Sequence, residues 1–319
     1  MNEQLVLVGG GRKSEDKMAC RQSFRDIEQV LAAEYSVRRV WVDEHGLFWL
    51  EEDGARFLCS LQANKLLRVA VDQIVIGGEV GAEYWSVDRL WPLFYGGDYA
   101  DGGLLGSVDF GGYDLVGTGG NMSFVTHDKD LVRLVLPNYN FAKKPIIVGY
   151  DDWQKNHWQR EETLLAALSF PVLLKSGDKE QLVSVKDNLS NSIFSFFEDN
   201  AGSNLEIESR DPRIEKLLVG FLGRENFLPS RVCQIKNGLV GYEGDTVIVR
   251  AIQNMVIDFV KNYRVNDYGL FHLEKEGDDW RIVRIDLHPD VSRAGELARV
   301  WQESGVDYDI MIKKIINHS

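Results

Sequence analysis

This 319-residue chain is short of cysteine, with three, and of proline, with seven, and it has no long apolar run. Each shortage excludes something. Cys20, Cys59 and Cys233 are odd in number and share no CxxC spacing, so neither a disulfide framework nor a zinc site is expected and the thiols read as reduced. No Pro-rich linker, low-complexity run or internal repeat separates the lobes, which are expected to pack closely. No stretch reaches the ~20 apolar residues of a membrane helix. The opening MNEQLVLVGG lacks a charged segment followed by a long apolar run, so no signal peptide is expected and the default is a cytoplasmic protein with no membrane partner. Positive charge is short too. Lys and Arg number 36 against 49 Asp and Glu, a net charge of −13. No basic stripe offsets it, which excludes a nucleic-acid partner.

What is present is an ordinary globular composition, 44% hydrophobic and 27% charged, in a chain long enough for two or three lobes. It opens with LVLVGGGRKSEDKMA: a buried strand, a tight glycine turn and the start of an amphipathic helix. Backbone N–H groups at such a helix start favour anions. The glycine spacing is neither GxGxxG nor GxxxxGK[ST], so no nucleotide fingerprint applies. The stretch can grip a phosphate, hold a substrate or merely turn a strand into a helix.

Buried runs then alternate with helices, and QLVLVG, SVRRVWVDE, RVAVDQIVIGG, LWPLFYGG and YDLVGTGG predict a parallel α/β sheet. A helix over 122–136 leads into an α+β region of short strands, KPIIVGYDDW, FPVLLKSG, LVSVKD and NLEIES, with helices near 159–168 and ending near Glu198. The last third has strands KLLVGFLG and SRVCQI, a long helix TVIVRAIQNMVIDFVKNY, a hairpin around Gly277 and Asp278, and two closing helices.

Five segments in this order resemble the D-alanine–D-alanine ligase family of the ATP-grasp superfamily: GGGRKSEDKMA, LWPLFYGGDYADGGLLG, YDLVGTGGNMSFVTHDK, FPVLLK and RIDLHPDVSRAGELARVWQESGVDYDIMIKKII. The resemblance implies an ATP-grasp fold, α/β with α+β lobes. Residues 1–121 would form an N-terminal Rossmann-like parallel sheet, 122–206 a central lobe and 207–319 a C-terminal lobe. ATP would lie between the last two lobes, phosphorylating the carboxylate of one D-amino acid for attack by the amine of a second. By the same resemblance Lys129 and Lys175 fall on phosphate-contacting lysines, and Glu208 and Glu215 on the carboxylates of the adenine and ribose side. Glu15 falls on the residue that holds the substrate ammonium. Each has a plainer reading, as a solvated surface charge or, for Glu15, a first-turn acid favoured by the helix dipole. The implied ligands are ATP and a small amino acid, and a homodimer or protein partner is carried over from the family.

The resemblance fails at magnesium. Aligned on Pro289, an aspartate becomes His272, a glutamate becomes Arg284 and an asparagine becomes Asp286. Magnesium takes hard oxygen ligands and a guanidinium repels it, so one weak site at Asp286 is the most that is expected. Elsewhere Tyr95 replaces a histidine, Ala100 an acid and Leu270 an arginine, while Gly295 falls near a serine. KSGDKEQLVSV replaces a glycine- and serine-rich phosphate loop, and after GYEGDTV no room is left for a mobile lid. The expectation is a ligase-like protein that binds a nucleotide or small ligand with ligation lost or impaired. The alternative is an active ADP-forming ligase with a non-standard metal site. His127 reads as a helix-surface or capping histidine, DDWQKNHWQRE as a partly buried aromatic surface, and no GxSxG elbow or EF-hand spacing occurs.

Overall fold

The apolar opening forms β1 (Glu3–Gly10), buried on both sides: Leu5 and Leu7 join one core cluster, Val6 and Val8 another. A computed structural model describes residues 3–10, 14–52, 55–62, 65–69, 82–95, 103, 105–106, 113–143, 145–176, 179–199, 204–209, 215–224, 227–235, 238–276 and 279–317. Then comes α1 (Ser14–Leu31), whose Cys20, Phe24, Ile27 and Leu31 recur at helical spacing on the buried face. Next, β2 (Tyr35–Val42) lies parallel to β1. Gly10 has a packing reason to be glycine, because a Cβ there would stand 2.3 Å from the Val42 carbonyl oxygen.

The sheet is parallel only around β1. After β2 come β3 (Phe48–Glu52), β4 (Ala55–Gln62), β5 (Lys65–Val69) and β6 (Ala82–Ser86), all antiparallel to their neighbours. The connection over 43–47 is a tight turn in which Asp43 accepts from the His45 and Leu47 N–H groups, too short for the crossover a parallel pair needs. Then β7 (Arg89–Phe94) returns parallel to β1, and β8 (Asp114–Leu115) runs parallel to β7. The eight strands follow the order β6-β5-β4-β3-β2-β1-β7-β8. The expected strand RVAVDQIVIGG begins within β5 and otherwise lies outside the described residues.

The helix expected over 122–136 is two helices, α2 (Gly120–His127) and α3 (Lys129–Val135). Asp128 breaks and caps it, its side chain accepting from the Asp130 and Leu131 N–H groups, so the capping residue is Asp128 and not His127. A four-stranded antiparallel sheet, β11-β10-β12-β9, follows. Its members are β9 (Ile146–Gly149), β10 (Val172–Ser176), β11 (Lys179–Val183) and β12 (Asn204–Ser209). Two helices bury its core, α4 (Tyr150–Ala167) and α5 (Leu189–Asp199), through Trp153, Leu164, Ile193 and Phe197. The helix α4 starts earlier than expected. It buries Trp153 completely and leaves Trp158 75% exposed.

A second antiparallel set follows: β13 (Lys216–Leu222), β14 (Leu228–Pro229), β15 (Cys233–Ile235) and β16 (Leu239–Gly241). After α6 (Thr246–Tyr263), β17 (Tyr268–Glu276) and β18 (Asp279–Asp286) complete its sheet, beyond which lie α7 (Glu296–Glu303) and α8 (Tyr308–Asn317). Residues of α7 and α8 share one core cluster with β1 and α1. The chain accordingly forms two compact units, Met1–Asn140 with Lys216–Leu273 and Ile282–Ser319, and Phe141–Glu215 with Glu274–Arg281. Both ends of the sequence belong to the first unit. No helix among the described residues is long and apolar enough to cross a membrane.

Candidate functional site

Alternation along β18 puts Arg284 and Asp286 on one face, and the neighbouring β17 contributes His272. These three side chains meet. The Arg284 guanidinium Nη2 lies 2.8 Å from His272 Nε2 and 3.4 Å from Asp286 Oδ2. A guanidinium only donates, so Nε2 must accept and the imidazole proton is assigned to Nδ1. Burial, then Arg284 and Lys216, push His272 down to about 3, which leaves the ring neutral at pH 7. Glu296 at 3.8 Å from Nε2 is therefore a neighbour and not an ion-pair partner. Burial raises the Asp286 carboxyl, opposed by Arg284 and by the His288 N–H it accepts at 3.1 Å.

The loop after β18 is built from polar groups turned inward. His288 is buried and pushed down to about 4, with Ser123 Oγ of α2 2.8 Å from its Nε2. Asp290 accepts from Ser292 N–H and Oγ and from Ser23 Oγ, at 2.8, 3.0 and 3.1 Å. Tyr95 donates to Ser23 Oγ at 3.0 Å and accepts the Val291 N–H at 3.3 Å, while the Arg293 N–H donates to Asp26 at 2.9 Å. Gly295 sits where a Cβ would come 2.2 Å from the Asp290 carbonyl oxygen. Tyr95 and Gly295 thus serve a network that ties this loop to α1. Leu270 is wholly core, and Ala100 lies outside the described residues.

The remaining candidates divide between the units. Glu15 is exposed in the first turn of α1. Lys129 opens α3, and its side chain lies outside the described residues. Lys175 is exposed on β10, directly opposite Glu180 of β11, and the two pair at 3.2 Å. The two strands pair antiparallel, with Ser176 opposite Lys179. Glu208 is half-buried on β12 opposite Leu173. Glu215 is half-buried too, and its carbonyl accepts the Lys275 N–H at 3.0 Å. Lys175, Glu208 and Glu215 are brought into one unit, and Glu15, Lys129 and Asp286 into the other. From β16 to α6 only 242–245 intervene, with Asp245 capping the helix.

No protein-family model matches the chain. Its sequence is 21% identical to the D-alanine–D-alanine ligase of Prochlorococcus marinus (strain AS9601), over 98% of this chain and 96% of that protein. Its fold superposes on the D-alanine–D-alanine ligase of Coxiella burnetii with a TM-score of 0.75 at 17% identity, covering 99% and 93% of the two chains. The Bacillus anthracis enzyme, solved in complex with ATP, gives 0.67 at 14% identity over 99% and 96%. The chain is a divergent relative of the D-alanine–D-alanine ligases. Its fold is ATP-grasp.

In this ATP-grasp relative the positions that resemble magnesium ligands hold a guanidinium, a neutral imidazole and one carboxylate, which do not fit a two-ion oxygen cage. Among the described residues no three His, Cys, Asp or Glu side chains stand together as metal ligands would. One buried acid went unread in the sequence. Asp267 is fully buried at φ 62°, accepts the Gly117 N–H at 2.6 Å, and has Arg224 Nε at 3.2 Å. Burial pushes its carboxyl up to about 6, against the pull of Gly117 and Arg224. The Asn-Asp pair after a long helix, apt for positive φ, was the available signal.

Proposed function

We propose that this protein binds a nucleotide through its ATP-grasp lobes and that standard D-alanine–D-alanine ligation is lost or strongly impaired. The observation that carries the reading is the Arg284 guanidinium beside His272 and Asp286. Phosphoryl transfer to a carboxylate needs the charge of several anionic oxygens offset while they are brought together. A fixed guanidinium offers one positive charge and no ligand, where two magnesium ions would offer four charges and exchangeable positions. Asp286 alone supports at most one weak metal site.

Nucleotide binding asks less of the chain. Lys129 and Lys175 supply cations for phosphates, and Glu208 and Glu215 can accept from sugar hydroxyls and an adenine amino group. Glu15, exposed at the start of α1, suits an amino-acid ammonium. That exposure, with the two lysines, favours the second reading, an active ADP-forming ligase of D-amino acids with another metal arrangement. A small amino acid or nucleotide is the ligand in either case, and a homodimer or protein partner remains part of the proposal.

The test is thermal unfolding with ATP, with and without magnesium, followed by ADP release in the presence of D-alanine. A bound nucleotide raises the midpoint by mass action. The expected result is an ATP shift of equal size without magnesium and no ADP release dependent on D-alanine. Magnesium-dependent stabilisation with amino-acid-dependent ADP release would establish the active ligase instead. No shift with any nucleotide would overturn both readings.

A further inference from the structure

Arg21 and Arg25 stand four residues apart on α1 and project from one face. Arg39 lies on β2 two residues before Trp41, on the sheet face that α1 covers. They converge. A cavity of about 220 Å³ is lined by Arg21, Phe24, Arg25, Arg39 and Glu51. Its origin is the antiparallel strand β3, whose register sets Glu51 opposite Arg39 and Trp49 opposite Trp41. The Phe24 ring meets Trp41 edge-on at 6.1 Å, and the Arg21 guanidinium lies 5.2 Å from the Trp41 ring centroid.

The charges are unevenly satisfied. Arg39 is bonded to Glu28. Among the described residues neither Arg21 nor Arg25 has a carboxylate partner. Three arginines against Glu28 and Glu51 leave a local charge of +1 in a chain whose net charge is −13. Guanidinium forks match carboxylate and phosphate oxygens bidentately, and Arg is hydrated weakly enough to do so against an aromatic wall. The volume is below the ~300 Å³ at which pockets enclose a drug-sized ligand, so a single anionic group of a small metabolite is the right scale.

We propose that this cavity binds a small oxyanion, a carboxylate or phosphate group, at a place that includes none of the residues assigned above to nucleotide, amino acid or metal. The source of the anion is read from two arms. The full chain is titrated at low ionic strength with inorganic phosphate and, separately, with succinate, following the arginine Nε–H signals in ¹H–¹⁵N spectra, with chloride at equal ionic strength as control. Saturation by either anion is expected, the tighter one naming the group. Affinity should fall at least ten-fold in Arg21→Gln/Arg25→Gln, with an unchanged far-ultraviolet circular dichroism spectrum. Arg25→Lys, which keeps the charge but not the fork, should fall between. Equal affinity in the double variant, an equal response to chloride, or no saturation by either anion overturns the site.

Discussion

Arginine does opposite work at two places in one compact unit. Arg284 faces protein atoms that accept from it, the neutral His272 ring and the Asp286 carboxylate. Arg21 and Arg25 face a cavity with no carboxylate of their own among the described residues. The charge is the same, and the partners decide what it does. At β18 the half-exposed guanidinium is met by two protein acceptors; on α1 it leaves fork-shaped donors open to a ligand. Relatedness to a ligase fixes neither outcome, because both follow from side chains one strand or one helical turn apart.

The committed extreme of this contrast is Arg224 with Asp267, and breaking it should have the largest effect. Asp267→Ala strands the Gly117 N–H, leaves Arg224 with less compensation and puts a Cβ at φ 62° without a local hydrogen bond. A loss of about 3 kcal/mol is expected, read as a lower urea midpoint at unchanged m-value. Asp267→Asn keeps an acceptor for Gly117 and tolerates the backbone, so it should cost roughly 1 kcal/mol. The two proteins should also differ in pH dependence. Burial pushes the folded carboxyl up to about 6 from its ordinary 3.8, so between these values the folded state keeps a proton the unfolded chain has released. Its contribution is greatest below about pH 4 and declines as pH rises to 6. Asp267→Asn removes that decline, and equal slopes in the two proteins would refute the assignment.

How much of this was legible in the sequence depends on what carried each signal. Apolar runs and helical spacing exposed β1, α1, β13, α6 and the closing helices, because burial writes itself into composition. The parallel sheet was read only in part: a turn as short as 43–47 dictates antiparallel pairing of β2 with β3 without a distinctive pattern. Asp128 was invisible as a break because its cap uses backbone donors that no spacing reveals. At the candidate site, the resemblance implied that Arg284 takes the place of a metal ligand, and the geometry adds that it contacts His272 and Asp286. Tyr95 looked like a lost substrate contact, yet its hydroxyl belongs to a network joining Ser23 and Asp290, which are far apart in sequence. The cavity on α1 also needs three separate elements to come together, so no local pattern announces it.

The next sharpest test turns one kind of arginine position back into an acid. Arg284→Glu places a second hard oxygen ligand beside Asp286. Without magnesium it should lose no more than about 1 kcal/mol, because the Arg284 side chain is 56% exposed and its pairing is screened. With magnesium at about ten times its dissociation constant it should regain roughly 1.4 kcal/mol, seen as a higher melting midpoint. The wild-type protein should not respond. If wild type gains as much from magnesium as the variant, Arg284 does not stand in the way of the ion, and the contrast with Arg21 and Arg25 loses its first member.

The smallest effect is expected at Lys175, which lies between the two extremes: a cation with one partner, exposed and replaceable. The Lys175–Glu180 pair has 46% and 47% of its side chains exposed, so Lys175→Gln should change stability by only about 0.3 kcal/mol. Its value is in the direction of a second measurement. If Lys175 leaves Glu180 for a phosphate, Lys175→Gln weakens ATP binding a few-fold, whereas Glu180→Gln strengthens it by removing both the competing acid and its repulsion of the triphosphate. Calorimetric titration of ATP into the two variants separates the cases. Opposite shifts make Lys175 an open cation like Arg25, and the absence of any shift makes it a closed one like Arg284, a hairpin ion pair with no part in nucleotide binding.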